Sequence, residues 1–104
     1  MSTPRIVVTG MGIVSPLGCG VVVVWQRLIA GQSGLRRLPD EMVGDLPAKV
    51  AGVVPDRGDD PTAGFDTDNI VSPKDQRKMD RFIPLALAAA QEALAAARWR
   101  SVRA

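Results

Sequence analysis

The fold is decided by the stretch Arg5-Ile-Val-Val-Thr-Gly-Met-Gly-Ile-Val-Ser-Pro-Leu-Gly18, near the start of a chain of 104 residues. Its first part, residues 5–9, is β-branched and apolar on both faces, which is typical of a buried strand in an α/β sheet. Residues 10–18 then supply glycines where the backbone turns sharply or approaches a neighbour closely. The stretch therefore predicts a buried strand followed by a structured turn, and an α/β fold.

The run from Val21 to Ala30 satisfies two patterns. Its four consecutive valines favour a strand by propensity, whereas five apolar positions recur at helical spacing: Val21, Val24, Trp25, Leu28 and Ile29. We choose a helix, because Gln26 and Arg27 give the run a polar side that a buried strand lacks. Gly31 follows where a left-handed cap ends a helix.

The middle of the chain is rich in glycine, proline and charge. Residues 32–48 indicate a connection with a short helical turn near Pro39–Val43, and residues 49–54 are a second strand candidate. Residues 55–69 predict a surface loop. Five aspartates occupy it, but their spacing lacks the glycine and terminal glutamate of a calcium loop, so we expect solvated side chains.

The last predicted element is a long helix from Pro73 to about Arg98. Ser72 is suited to the N-cap, and Pro73 to the first helical position, where its missing N–H costs nothing. Pro84 lies within this span and predicts a kink or a break near residues 80–83, because proline removes a backbone hydrogen bond and clashes with the preceding turn.

This helix is predicted to have two distinct faces at about 100° per residue. One face carries a basic cluster: Lys74, Arg77, Lys78 and Arg81. The other is apolar and should face a core: Met79, Phe82, Ile83, Ala86, Ala90 and Leu94. The basic cluster is either a solvated helix face or a binding surface for an anionic partner, such as an acidic protein or a phosphate.

Composition excludes several kinds of chemistry. The chain has no histidine and one cysteine, so it holds no imidazole base, no internal disulfide and no four-cysteine zinc site. Cys19 is therefore expected to be a small, partly buried thiol near a helix start. In the glycine turn, Ser15 replaces the third glycine of a dinucleotide fingerprint and Pro16 follows, which favours a structural role. Nothing indicates a cofactor or a metal.

The net charge of +2 does not by itself indicate a nucleic-acid partner. Arginines flank Trp99 in the tail, as in a single-strand binder, but six terminal residues are little support for that hypothesis. Glycine, proline or arginine interrupts every apolar run before the ~18 residues of a membrane span. Glycines and Pro16 also break the signal-peptide pattern. We therefore expect a cytoplasmic protein.

Three motifs in register resemble the N-terminus of a β-ketoacyl-acyl carrier protein synthase of the type II elongating kind. They are Arg5–Gly18, then Trp25 with Leu28–Gly34, then Ser72–Phe82. The resemblance covers residues 1–99, an N-terminal portion of the synthase's N-terminal domain, and leaves residues 100–104 as a divergent tail. It implies a thiolase-like layered α-β-α-β-α fold, incomplete in this chain, and homodimeric full-length relatives.

The resemblance also implies a function in fatty acid biosynthesis. In this family an acyl chain is transferred to a cysteine, malonyl-acyl carrier protein loses carbon dioxide, and the resulting carbanion attacks the thioester. Cys19 does not match the catalytic cysteine motif, so we expect a truncated chain that is inactive alone. Lys74, Arg77 and Lys78 match positions that present positive charge to acyl carrier protein. The alternatives are a polyketide ketosynthase fragment and a non-catalytic carrier-protein docking module.

Overall fold

The computed structural model describes residues 3–99. The chain is a mixed α/β structure with short strands and one long helix. In chain order the elements are β1 (Val14–Ser15), β2 (Gly18–Cys19), α1 (Val21–Ile29), β3 (Leu35–Arg37), α2 (Asp40–Val43), β4 (Val50–Gly52), α3 (Thr67–Ile70), α4 (Pro73–Gln76) and α5 (Phe82–Ala96). The mixed α/β class predicted from the sequence is confirmed.

The predicted buried strand at residues 5–9 is wrong for this chain. This segment forms no strand, and its apolar side chains are exposed, with Ile6 at 95%. A strand is stable only when neighbouring strands bond its backbone and cover its faces, and no strand in residues 3–99 pairs with this segment. The segment has the β-branched composition of a strand, but residues 3–99 contain no strand that pairs with it.

The strands form two antiparallel hairpins. β1 pairs with β2 through Val14↔Cys19 and Ser15↔Gly18, which confirms the structured turn predicted for residues 10–18. Within it the Ser15 hydroxyl accepts the Leu17 N–H at 3.1 Å, and Gly18 has a φ of 122° that favours glycine. β3 pairs with β4, which confirms the second strand candidate over Val50–Gly52.

α1 is helical from Val21 to Ile29, as predicted, and Gly31 follows with a φ of 78°. The apolar residues that recur at helical spacing are mostly exposed. Val24 is buried, but Trp25, Leu28 and Ile29 are more than half exposed. Arg27 is turned towards the molecule instead, and its guanidinium donates to the Leu17 carbonyl oxygen at 2.7 Å. These side chains are exposed because nothing in residues 3–99 covers the outer side of this helix.

The predicted long helix is broken, as Pro84 indicates. α4 ends at Gln76 and α5 begins at Phe82. Pro84 is the third residue of α5, within the first turn, where its missing N–H costs no helical bond. The short helical turn near Pro39–Val43 is also confirmed as α2, whereas the loop predicted for residues 55–69 ends earlier, in α3.

The predicted apolar face of the last helix is wrong for most of its residues, although Met79 and Ile83 are half-buried. Phe82 and Leu94 are exposed, and the side that packs is lined by small residues. The backbone of Gly10 and Gly12 lies directly on Ala89, Ala93 and Ala97, so closely that a Cβ on either glycine would collide with the helix. This approach depends on small side chains on both partners.

A small set of buried side chains forms the core of residues 3–99: Val24, Val43, Ala63, Phe65 and Val71. No helix in this part of the chain is long and apolar enough to cross a membrane. The divergent tail at 100–104, which includes Arg100 and Arg103, lies outside the described residues.

Candidate carrier-protein docking site

The basic cluster begins on α4, which starts as the sequence predicts. Pro73 is the first helical residue and Ser72 holds the N-cap position. The Ser72 hydroxyl does not bond the helix backbone, but pairs with the Asp75 carboxylate at 3.1 Å. Gln76, the last residue of α4, donates its side-chain N–H groups to the Val71 carbonyl at 2.8 Å and the Asp68 carboxylate at 2.7 Å.

Lys74, Arg77 and Lys78 lie on one turn of backbone. After α4 the chain tightens, since the Lys78 N–H bonds the Asp75 carbonyl at 3.0 Å and the Met79 N–H bonds the Gln76 carbonyl at 3.2 Å. Bonds of this i to i−3 kind place side chains three residues apart in one row, so Lys74 and Arg77 are aligned, with Lys78 next to them. All three are exposed.

Arg81 is the fourth member of the basic cluster and is placed differently. It is the N-cap residue of α5, after the break, and its guanidinium carbon lies 5.9 Å from the centre of the Phe65 ring. A cation over an aromatic face is attracted by the ring's negative quadrupole. Arg81 is therefore anchored to the core, whereas the other three extend from a surface turn.

The positive charge of the basic cluster is not neutralised by ion pairs. Within residues 3–99 the ion pairs are Arg27–Asp60 and Arg37–Asp40, and neither involves the cluster. Asp75 and Asp80 lie nearby in sequence, so the segment holds four basic and two acidic side chains. This arrangement can attract and orient an acidic partner.

Cys19 lies on β2, at the wall of a cavity of about 230 Å³ that Phe65 and Glu92 also line. It is partly buried and lies two residues before the start of α1, as expected from the sequence. Burial raises the pKa of the thiol, and the nearby charge of Glu92 raises it further. The thiol is thus held protonated, which is the opposite of an activated nucleophile.

Glu92 is a structural residue that the sequence reasoning missed. Its carboxylate accepts the N–H of Val21 at 2.8 Å and the N–H of Ile13 at 2.9 Å. Val21 is the first residue of α1, and Gly20 before it has no side chain to cap the helix. Glu92 is the only ionisable residue in α5, and that isolation was the available signal.

Asp60 is a second missed contact, and it corrects the expectation of a wholly solvated loop. Its carboxylate accepts a hydrogen bond from the Arg27 guanidinium at 2.5 Å and from the Ala63 N–H at 3.1 Å. The bond from Arg27, with the backbone bonds, lowers the pKa of Asp60 to about 2. No group of three metal-ligating side chains is found among residues 3–99.

Sequence comparison assigns the chain to a family. The family model described as "Beta-ketoacyl synthase, N-terminal domain" matches residues 3–104, so the chain belongs to the β-ketoacyl synthases. This family includes transferases of fatty acid biosynthesis, and the resemblance noted from the three motifs is confirmed.

Three relatives illustrate the similarity. The chain is 49% identical to 3-oxoacyl-acyl-carrier-protein synthase 2 of Rhizobium meliloti, over 92% of this chain and 23% of the relative. It is 43% identical to a putative polyketide β-ketoacyl synthase 2 of Streptomyces halstedii, over 94% and 22%. It is 43% identical to a putative mitochondrial 3-oxoacyl-acyl-carrier-protein synthase of Schizosaccharomyces pombe, over 91% and 22%. The chain spans about a fifth of the length of these curated relatives.

Proposed function

We propose that this chain provides a docking surface for acyl carrier protein within a β-ketoacyl-acyl carrier protein synthase of fatty acid biosynthesis. In that assignment residues 1–99 are an N-terminal portion of a thiolase-like layered α-β-α-β-α domain, residues 100–104 are a divergent tail, and the protein works in the cytoplasm. The observation that carries the proposal is the basic cluster, which is exposed and free of ion pairs within residues 3–99.

The docking role follows from the charge and its placement. Carrier protein is acidic, and a row of exposed cations steers such a partner and fixes its orientation more than it adds affinity. Lys74 and Arg77 are aligned on a tight turn, so they can meet neighbouring carboxylates together. Because the cations are exposed, their attraction falls as salt shortens the Debye length from about 30 Å at 0.01 M to about 8 Å at 0.15 M.

The synthase to which this surface belongs would catalyse a decarboxylative Claisen condensation. We propose that these 104 residues do not perform it alone, because they contain no histidine and the Cys19 thiol has a raised pKa. A homodimeric full-length assembly would supply the nucleophile and the histidines. Incubation with acyl and malonyl carrier proteins should give no β-ketoacyl product by mass spectrometry, and any product would contradict this part of the proposal.

Two related functions remain candidates. Relatives named as polyketide β-ketoacyl synthases favour a polyketide ketosynthase as the second candidate, with the same carrier-protein docking and a different pathway. A non-catalytic carrier-protein docking module would use the same cluster without turnover. Comparing the affinities for fatty-acid and polyketide carrier proteins distinguishes a fatty acid synthase from a polyketide ketosynthase, since a docking surface binds its own carrier protein more tightly.

The test of docking is charge reversal. The triple variant Lys74→Glu, Arg77→Glu, Lys78→Glu should lose at least about tenfold in affinity for carrier protein at low salt, since exposed charge pairs contribute about 0.2–1 kcal/mol each and reversal replaces attraction with repulsion. Titration calorimetry at two salt concentrations measures it. Lys49→Glu is a control, because its ammonium group bonds the Gly44 carbonyl outside the cluster. Equal affinity of triple variant and wild type would remove the docking proposal.

A further inference from the structure

A groove of about 530 Å³ adjoins the basic cluster, between β3, α2 and the start of α5. Three arginines, Arg36, Arg37 and Arg81, are among the residues that line it, and we call it the arginine groove. Between them lie apolar side chains, of which Leu38, Val53 and Val54 are half-buried and Met42 is exposed. The groove therefore combines an apolar surface with fixed positive charge.

The guanidinium groups of the groove are available to a ligand. Arg37 approaches Asp40 only at 3.5 Å, with both side chains mostly exposed, and a pair of that kind is readily exchanged for another partner. Arg36 makes no ion pair within residues 3–99. The guanidinium carbon of Arg81 lies 5.9 Å from the centre of the Phe65 ring, and Arg81 makes no ion pair within residues 3–99, so its N–H groups can bind a carboxylate.

Asp56 and Asp59 also line the groove, and their negative charge opposes that of an acidic partner. An oxygen of Asp56 accepts the N–H of Asp59 at 2.9 Å, so its charge is partly committed to the loop. Asp59 itself is exposed and makes no ion pair within the described range. The lining thus holds three basic and two acidic side chains, with Asp40 beside Arg37 just outside it, and Asp59 repels an acidic partner that enters.

We propose that the arginine groove is a second part of the carrier-protein docking surface, where an acidic amphipathic segment of acyl carrier protein places carboxylates on Arg36 and Arg37 and an apolar side chain against Met42. The inference rests on the proposed docking function. Arg81 belongs to both the basic cluster and the groove, which makes the two surfaces continuous. Guanidinium groups bind carboxylates through two parallel N–H bonds, and an exposed methionine adapts to apolar partners.

The experiment measures affinity of the full 104-residue chain for apo acyl carrier protein, whose lack of a prosthetic group restricts contact to the protein surface. The double variant Arg36→Gln, Arg37→Gln should weaken binding about fivefold at low salt and by less at high salt. The matched control is Arg5→Gln, Arg57→Gln, which removes the same charge from exposed arginines outside the groove. It should change the affinity less than twofold.

Two further variants separate the proposal from general damage to the fold. Asp59→Asn should tighten binding about twofold, because it removes the repelling carboxylate. Met42→Ser should weaken binding about threefold at low and high salt alike, since an apolar contact is not screened. Leu46→Ser is its control, being similarly exposed and outside the groove.

The outcomes distinguish the groove from the docking function on which it rests. If reversal of Lys74, Arg77 and Lys78 weakens binding but Arg36→Gln, Arg37→Gln matches its control, the groove proposal is overturned and docking stands. If neither changes the affinity, both fail. If both weaken binding, the losses should multiply in the combined variant, because separate contacts with one partner are additive in free energy. Weaker binding by Asp59→Asn would also overturn the groove proposal.

Discussion

The replacement of Glu92 by alanine tests the contact that joins α5 to Ile13 and to the start of α1. The substitution removes the oxygens that accept the N–H groups of Val21 at 2.8 Å and Ile13 at 2.9 Å. A hydrogen bond to a charged group contributes about 1.5–3 kcal/mol, and loss of a helix cap costs about 1 kcal/mol. Because the carboxylate is only part-buried and water can replace it, we expect a combined loss of about 2–3 kcal/mol.

The assay is urea unfolding followed by far-ultraviolet circular dichroism. With a slope of about 1 kcal/mol per molar urea for a small protein, the midpoint should fall by about 2 M. Glu92→Gln keeps one acceptor oxygen and should lose about half as much. Gln91→Ala changes an exposed neighbour on the same helix and should stay within about 0.5 kcal/mol of wild type.

Hydrogen exchange at the Val21 amide adds a local readout, since this N–H should lose protection in Glu92→Ala more than amides in the middle of α1. The reasoning is refuted if Glu92→Ala unfolds within about 0.5 kcal/mol of wild type. It also fails if the Val21 amide keeps its protection.

Three more predictions follow from the geometry. Gly12→Ala should destabilise the chain by about 1–3 kcal/mol in urea unfolding, because its Cβ would strike the α5 backbone, whereas Gly58→Ala meets only a side chain and should cost less. Wild type should be more stable than Asp60→Asn, with the difference in free energy of unfolding complete above about pH 4 and lost as the pH falls through about 2. The reason is that the bond from Arg27 lowers the pKa of the Asp60 carboxyl in the folded chain. Measuring the free energy of unfolding of both proteins across this pH range checks it, and a difference that does not change with pH would contradict it. The Cys19 thiol should react with iodoacetamide at pH 8 more slowly in the folded chain than in urea, because burial raises its pKa, and equal rates would disprove it.

Local signals in the sequence determined where helices begin and end. Proline at the first position of α4, Pro84 in the first turn of α5 and Gly31 after α1 all act through their own backbone geometry, so their positions alone were informative. The basic residues were likewise found from spacing within one turn. Such features need no knowledge of distant parts of the chain.

Burial was predicted less well, because it depends on what covers a face. Ile6 and Trp25 have the residue types of a core, yet both are exposed where no neighbouring element packs on them. The helical period predicts that Phe82 faces the core. Instead α5 begins at Phe82, and it packs on Gly12 through Ala89 and Ala93. Periodicity defines that a helix has an apolar face and does not identify its partner.

The candidate site shows the same division. Lys74, Arg77 and Lys78 were predicted as a group and lie together on one turn, because neighbours in sequence cannot be far apart in a helix. The arginines of β3 were not predicted as part of a site, since they lie more than forty residues before Arg81 in sequence and only the folded chain brings them to the same groove.

The contacts of α5 with Gly12, Ile13 and Val21 have a consequence for the order of folding. The bonded atoms of Ile13 and Glu92 are 79 residues apart in sequence, so the loop that joins them closes only after residue 92 has been made. During synthesis, α1 therefore lacks the carboxylate at its first N–H until α5 has been made. α1 is therefore made before α5 but is completed only after it.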